Sequence, residues 1–255
     1  MYIALFIACC LCGVLPVIGQ ETAENAPEKR LIAYWSFDEG EGLTVADHSG
    51  SGYHGKIAND MRAVKWVDGY KGKALAFDST LPKGEKNTAG AVVVPRFPTD
   101  FSQGLTVACR VKMDAKADWQ RRVYNLVTFS AGTYGPGFIL YYNWRYYMFL
   151  SGPGGADGHK TKWDVRAAVP DLRDQWVHVC ATFDGKKGRM YIDGKMLAES
   201  PEEVAYYPQT SKTSTLTIGS GWAGQANGFP GIIDELKIYN YPLTPSEIIN
   251  QAKLD

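Results

Sequence analysis

Cysteine is scarce in this 255-residue sequence and unevenly placed. Of its five cysteines, three lie at or before Cys12. The other two, Cys109 and Cys180, fall inside predicted strands, and the alternation of strand faces leaves two interpretations open: a disulfide in an oxidising compartment, or buried free thiols. The spacing of cysteine and histidine matches no zinc-binding pattern. The sequence therefore gives no support to a structural zinc site.

A surplus of either charge is also lacking. The 27 Lys and Arg residues balance 27 Asp and Glu residues, and no basic run is present. Attraction to a phosphate backbone or to an anionic membrane surface depends on such a surplus. We therefore expect no nucleic-acid partner, and no membrane partner unless the N-terminal segment is retained.

No internal repeat of about 20 to 50 residues is visible, which disfavours a propeller or a solenoid. With 27 glycines and 13% aromatic residues, the composition fits many strands joined by tight turns. A chain of this length can bury a large core, and β-sandwiches of similar size commonly form one domain.

The N-terminus lacks the Lys or Arg that usually opens a signal peptide, although an apolar stretch follows at residues 2–18. The polar segment Gln20 to Arg30 comes next, which is typical of a secretory leader cleaved near Gly19. We predict a signal peptide over 1–19, a short linker over 20–30 and one domain over 31–255, with a secreted, periplasmic or cell-surface location. A retained anchor is the alternative, since the stretch is at the lower length limit for a membrane-spanning helix.

The clearest strand pattern lies between Gln175 and Ser200. Alternate residues of Trp176 to Phe183 are apolar, and Asp193-Gly194 is a dipeptide typical of a two-residue type I′ hairpin turn. A three-stranded antiparallel meander is predicted. One face of such a meander needs cover, so further strands must pack against it.

Other segments extend this β pattern. Alternation predicts strands at Leu31 to Asp38, Leu105 to Lys112 and Ile232 to Tyr239, and in the last of these Asp234 shares a face with Leu236. A carboxylate on a buried face requires a cation or several hydrogen-bond donors.

The C-terminal tail carries the one clear helix signal. Thr244 is placed as the N-cap, Pro245 as the first helical residue and Glu247 as the partner that completes a capping box. The predicted fold class is therefore all-β, a sandwich of two antiparallel sheets with a short C-terminal helix.

Seven segments, in this order and spacing, resemble the laminin-G-like jelly roll domain of the concanavalin A-like lectin/glucanase superfamily. They are YWSFDEGEG, ADHSGSGYHG, GKALAFD, LTVACRVK, QWVHVCATFDG, MYIDGK and GIIDELKIYNYPLTPSEI. The resemblance implies a two-sheet jelly roll with neighbouring termini. Arg110 departs from the family's pattern, which leads us to expect an aromatic residue there. The fold hosts lectins, adhesion modules, hydrolases and lyases, so it does not by itself name a function.

Strings typical of catalysis in this superfamily are missing. The glycanases carry Glu-x-Asp-x-x-Glu on one strand face, and the lyases carry Gln-x-His. Neither string occurs here. The pair Gln175 and His178 comes near the lyase string, but it is separated by one residue too many, which places the two side chains on opposite strand faces. For His178, a packed strand histidine is favoured over a general base.

The resemblance also implies a cation between the first and last strands. Such a site would fall on Asp38 and Asp234, with Asp78 as a third donor, and calcium is the ion that carboxylate and carbonyl oxygens favour. The alternative for Asp234 is that it caps backbone amides in a turn.

Aromatic residues carry the prediction of sugar binding. Flat aromatic faces stack on pyranose rings, while polar neighbours such as Asn143 and Arg145 meet hydroxyl groups. About half of these rings are expected in the core, and Trp144 and Trp222 are expected to be the most exposed. The predicted carbohydrate-binding residues are Tyr142, Trp144, Tyr146, Trp163 and Trp222.

Three functions remain open at this stage. The first is an exported, non-catalytic, calcium-stabilised module that binds a polysaccharide or a glycoprotein glycan. The second is a polysaccharide-degrading enzyme with an unfamiliar site, and the third is a structural or adhesion module whose aromatic residues all serve packing. The absence of a paired-carboxylate string favours the first.

Overall fold

The computed structural model describes residues 28–58, 63–78, 90–97, 101, 103–118, 120, 123–130, 137–152, 163–201, 215–221 and 228–253. Most of these residues lie in strands. In chain order, the strands are β1 (Leu31–Trp35), β2 (Thr44–Val45), β3 (Gly55–Ala58), β4 (Val64–Asp68), β5 (Lys73–Phe77), β6 (Ala91–Pro95), β7 (Leu105–Met113), β8 (Val123–Ser130), β9 (Gly137–Asn143), β10 (Tyr146–Gly152), β11 (Trp163–Ala168), β12 (Trp176–Phe183), β13 (Gly188–Ile192), β14 (Lys195–Glu199), β15 (Thr215–Ile218) and β16 (Gly231–Tyr239). The helix α1 (Pro245–Lys253) follows them.

The strands form two antiparallel sheets. The first sheet has the order β14-β13-β12-β7-β16-β5-β4, with β1 also paired to β16, and the second has the order β11-β10-β9-β8-β15-β6-β3-β2. Their apolar faces contribute to one shared cluster of buried residues, with Trp35 from the first sheet and Phe129, Phe138 and Phe149 from the second. The predicted all-β sandwich with a short C-terminal helix is confirmed.

Alternation along the strands predicts correctly which side chains form the core. In β7, Val107, Cys109 and Val111 lie in the shared cluster. The strand β12 pairs with β7 in antiparallel register, Val179 opposite Cys109, and contributes its own alternate apolar residues to the same core. The period of two therefore fixes the buried face of both central strands.

Local turn and cap signals are confirmed as well. Asp193 and Gly194 have φ angles of 49° and 78°, as a type I′ turn between β13 and β14 requires. At the start of α1, the Thr244 amide donates to Glu247 Oε2 at 2.7 Å and the Glu247 amide donates to Thr244 Oγ1 at 3.3 Å. These two bonds form the predicted capping box.

The last strand contains a β-bulge that alternation alone does not reveal. The register of β16 on β7 shifts between Asp234 and Lys237, and Glu235 has a φ of 52°. The extra residue reverses the alternation, so Leu236 lies in the core while Asp234, paired opposite Arg110, faces away from it. The predicted shared face of Asp234 and Leu236 is therefore wrong.

The register also answers the question of the two cysteines. Cys109 stands opposite Val179, whereas Cys180 stands opposite Ala108, so the two thiols project from opposite faces of the first sheet. Both are buried and free, and burial raises the pKa of Cys109 to about 12. They behave as small apolar residues.

The predicted leader and anchor, residues 1–19, lie outside the described residues. In the part of the chain that the structure describes, no helix, α1 included, has the length and apolar character needed to cross a bilayer.

Candidate functional site

The β9–β10 hairpin carries an exposed tryptophan at its tip. Asn143 pairs with Tyr146, and the two residues between them, Trp144 and Arg145, have φ angles of 51° and 71°. This is a type I′ geometry, which usually takes Asn-Gly because left-handed backbone is costly for residues with a Cβ. The Trp144 side chain is 62% exposed at this turn.

Two hydrogen bonds hold the backbone of the turn at Arg145. Its amide donates to the phenol oxygen of Tyr142, and its carbonyl accepts from the Val169 amide at 3.0 Å. The turn is thus fixed from the core side and from the segment after β11. Trp144 is presented on a supported backbone rather than on a free loop.

Tyr142 lies in the core, contrary to the expectation that it offers a ring to a ligand. It is 3% exposed, and its ring packs near those of Tyr124 and Tyr147. Burial raises the pKa of its phenol, which therefore stays protonated. The alternation of β9 directs Tyr142 inward, and its role at the site is to support the turn.

An open pocket of about 960 Å³, the hairpin-tip pocket, lies beside the turn. Gln120, from the connection between β7 and β8, and Ala168 and Val169, at the end of β11, join the hairpin residues there. Tyr146 is 38% exposed, and Ala168 stands directly opposite it on β11, where a small side chain leaves room beside the phenol ring. The described residues that line the pocket are Gln120, Trp144, Arg145, Tyr146, Ala168 and Val169.

The chemistry of this pocket suits binding more than bond cleavage. An indole and a phenol supply flat apolar faces, while a guanidinium and an amide supply hydrogen-bond donors and acceptors. Its described lining contains no carboxylate and no imidazole, which are the groups that serve as acid and base in glycoside hydrolysis.

The structure does not bring all predicted aromatic residues together. Trp163 begins β11 and pairs with Ser151, five residues along the strand from the pair of Tyr146 and Ala168. At the usual rise along a strand this separates their backbones by about 17 Å. Trp222 lies outside the described residues.

Asp234 caps a turn of the backbone. Its Oδ2 accepts from the amides of Tyr70 (2.8 Å) and Lys71 (3.1 Å), and its Oδ1 accepts from the Glu235 amide (2.8 Å). The first two amides belong to the loop between β4 and β5. Asp38, which is exposed, accepts from the Lys73 amide at the other end of this loop, at 2.9 Å.

The described contacts of Asp234 favour the turn-capping role over that of a calcium ligand. Three of the about four lone pairs of this carboxylate already accept amide N–H groups, so a cation would compete with the hydrogen bonds of the turn. Burial raises the pKa of Asp234 to about 6. Among the described residues, no group of three His, Cys, Asp or Glu side chains is placed to hold a metal, and this includes Asp38, Asp78 and Asp234.

His178 is a packed strand histidine. It is buried on the face of the first sheet that points away from the core, and its Nδ1 has no hydrogen-bond partner. Burial, together with the nearby charges of Arg110 and Lys237, lowers its pKa to about 3. Arg110 itself donates to the Ala252 carbonyl at 2.7 Å and so caps the end of α1.

Gln120, Ala168 and Val169 are site residues that the sequence does not reveal. They come from two places on the chain, and only the pairing of β10 with β11 and the path of the β7–β8 connection bring them to Trp144. The sequence gives no local signal for such residues.

Solved structures similar to this one include several binding domains. The binding domain of Paraclostridial Mosquitocidal Protein 1 superposes with a TM-score of 0.63 at 14% identity, covering 88% of this chain and 52% of that chain. Domain 4 of AbnA, a GH43 extracellular arabinanase from Geobacillus stearothermophilus, was solved with arabinotriose. It superposes with a TM-score of 0.56 at 22% identity, covering 89% of this chain and 100% of that chain. The binding domain of botulinum neurotoxin DC in complex with SialylT superposes with a TM-score of 0.59 at 14% identity, covering 84% of this chain and 51% of that chain.

Sequence comparison also finds relatives. An 84-residue stretch is 32% identical to pappalysin-1 of Mus musculus and 30% identical to pappalysin-1 of Homo sapiens. It covers 32% of this chain and 5% of either relative, so the chain spans only a small part of the length of these proteins. A family model described as concanavalin A-like lectin/glucanases superfamily matches residues 86–249. The chain therefore belongs to the concanavalin A-like lectin/glucanases superfamily.

Proposed function

We propose that this protein is an exported, non-catalytic module that binds a polysaccharide or a glycoprotein glycan at the hairpin-tip pocket. The observation that carries the proposal is the ring of Trp144, 62% exposed on a turn whose backbone is hydrogen-bonded on both sides. An indole held in this way loses little conformational freedom when a sugar stacks on it. Calcium at Asp234 is not part of the proposal.

The pocket supports this function through its mixture of groups. Sugars combine apolar C–H faces with hydroxyl edges, and the pocket combines two exposed rings with Arg145 and Gln120. Two structural neighbours add support, because AbnA domain 4 was solved with arabinotriose and the neurotoxin DC domain with SialylT. Arabinan and sialylated glycoproteins therefore belong in the first panel of ligands.

The test is affinity electrophoresis of Trp144→Ala against arabinan, xylan, pectin, laminarin, alginate and a sialylated glycoprotein. We expect the wild type to be retained by at least one of them and the variant to lose about tenfold or more in affinity, because central aromatic anchors dominate such interfaces. The midpoint of thermal unfolding should hardly change, since the side chain is exposed.

Leu43→Ala is the matched control, because Leu43 is 54% exposed and immediately precedes β2, at the opposite edge of the same sheet. It should leave retention unchanged, and Trp144→Phe should keep part of it. Equal retention of wild type and Trp144→Ala would refute the site. Release of reducing sugar by the purified protein would refute the non-catalytic assignment.

A further inference from the structure

The solvent face of β9, β10 and β11 continues from the hairpin-tip pocket along the sheet. The antiparallel register places Asn143, Tyr146 and Ala168 side by side in a first row. Two residues further along, Tyr141, Met148 and Arg166 form a second row. Because side chains on one face recur every second residue, the rows lie about 7 Å apart.

The second row has the components of a flat platform. Tyr141 is half-buried and Arg166 is exposed, whereas Met148 between them is 4% exposed and forms the floor. In the register of β10 and β11, Arg166 stands opposite Met148 and is the diagonal neighbour of Tyr146, about 7–8 Å away on the same face. Arg166 thus lies next to both rows.

Arg166 is held in place on this platform. Its Nε and Nη2 donate to Asp164 Oδ2 at 3.0 and 2.6 Å, from the same strand. The ion pair is exposed and contributes little to stability, but it fixes the plane of the guanidinium. A planar donor group beside a phenol ring suits the hydroxyl groups of a sugar whose face lies on Tyr141.

We propose that Tyr141 and Arg166 form a second sugar subsite, and that the ligand is a glycan chain running along β10 from the hairpin-tip pocket over Tyr146. This inference rests on the proposed function of the pocket. Trp144 and Tyr146 meet one unit of the chain, and Tyr141 with Arg166 meets another. The protein therefore binds oligosaccharides that reach both subsites more tightly than single sugars.

The test uses fragments of the polysaccharide that the wild type retains, prepared by partial acid hydrolysis and separated from monosaccharide to hexasaccharide; for arabinan these are arabinose to arabinohexaose. Calorimetric titration should show wild-type affinity rising with chain length. Tyr141→Ala should lose about tenfold of that affinity for the longer fragments and bind the monosaccharide as the wild type does. Tyr141→Phe should keep most of the affinity that Tyr141→Ala loses, whereas Arg166→Lys should keep less of what Arg166→Ala loses, because lysine lacks the planar donor group.

The two proposals fail in different ways. Wild-type affinity that does not depend on chain length, or retention only of the sialylated glycoprotein, would overturn the second subsite while leaving the pocket intact. A Tyr141→Ala variant that weakens binding of the monosaccharide and the hexasaccharide equally, or of neither, would overturn it as well. Failure of the wild type to bind any glycan of the panel would overturn both proposals.

Discussion

Asp234 is a single carboxylate on which one loop depends. It accepts three backbone hydrogen bonds, two of them from the loop between β4 and β5. Removing the acceptor takes a hydrogen bond from three partly buried amides, and each such bond contributes about 1 kcal/mol to stability. We therefore expect Asp234→Ala to lower the free energy of unfolding by about 3 kcal/mol, measured by urea denaturation.

Asp38→Ala is the control for this residue, because Asp38 is exposed and accepts from the amide of Lys73, where the same loop joins β5; its cost should be about 1 kcal/mol or less. Neither added calcium nor chelator should move the wild-type melting temperature. A calcium-dependent rise that Asp234→Ala abolishes would contradict the turn-capping role.

At the scale of the element, two hairpins of the same turn type differ in sequence. The β13–β14 turn uses Asp193-Gly194, whereas the β9–β10 turn places Trp144 and Arg145 in left-handed backbone. Because that conformation costs a residue with a Cβ about 1 kcal/mol or more, Arg145→Gly should stabilise the fold by about 1 kcal/mol. The same substitution should weaken glycan binding, since it removes a group that lines the pocket.

For Arg145→Gly, thermal unfolding should therefore show higher stability, whereas affinity electrophoresis should show weaker binding. Gly194→Ala is the matched substitution in the other hairpin, where φ is 78° and an added Cβ meets Ala252 Cβ at 3.2 Å; it should destabilise the fold without affecting binding. An Arg145→Gly variant that is less stable than the wild type would show that the arginine side chain supports the turn.

At the scale of the whole molecule, two buried groups give opposite dependences of stability on pH. In the folded protein the pKa of His178 is about 3, below the ordinary value of 6.5. On acidification the unfolded chain therefore takes up this proton before the folded protein does. Lowering the pH from 7 to 5 then destabilises the fold by up to about 2 kcal/mol. Asp234 has a folded pKa of about 6, above the ordinary 3.8. The folded state takes up that proton first, which offsets part of the loss by about 1 kcal/mol at pH 5.

His178→Gln removes the group that destabilises the fold on acidification. Relative to the wild type, its free energy of unfolding should increase as the pH falls from 7 to 5, which urea denaturation at each pH would measure. A difference between variant and wild type that stays constant over this range would show that His178 titrates alike in the folded and unfolded chains.

Local patterns in the sequence were enough to predict much of the fold. The inward face of β7 and β12 follows from alternation, the Asp193-Gly194 turn from its dipeptide, and the start of α1 from Thr244 and Glu247. Each of these features depends on residues within a few positions of one another. For the same reason, the exposure of Trp144 could be predicted from its place between two strands.

Only the tertiary structure decided the features that depend on register between distant segments. The bulge at Glu235 turns Asp234 away from the core, and the inward face of β9 turns Tyr142 into a support for the Arg145 amide. Gln120 and Ala168 reach the pocket, and Tyr141 and Arg166 lie on either side of Met148, because strand pairing joins residues that are far apart in the chain. The sequence alone determined which segments are strands and which faces are apolar, since periodicity is local; hydrogen-bond register between strands determined the site.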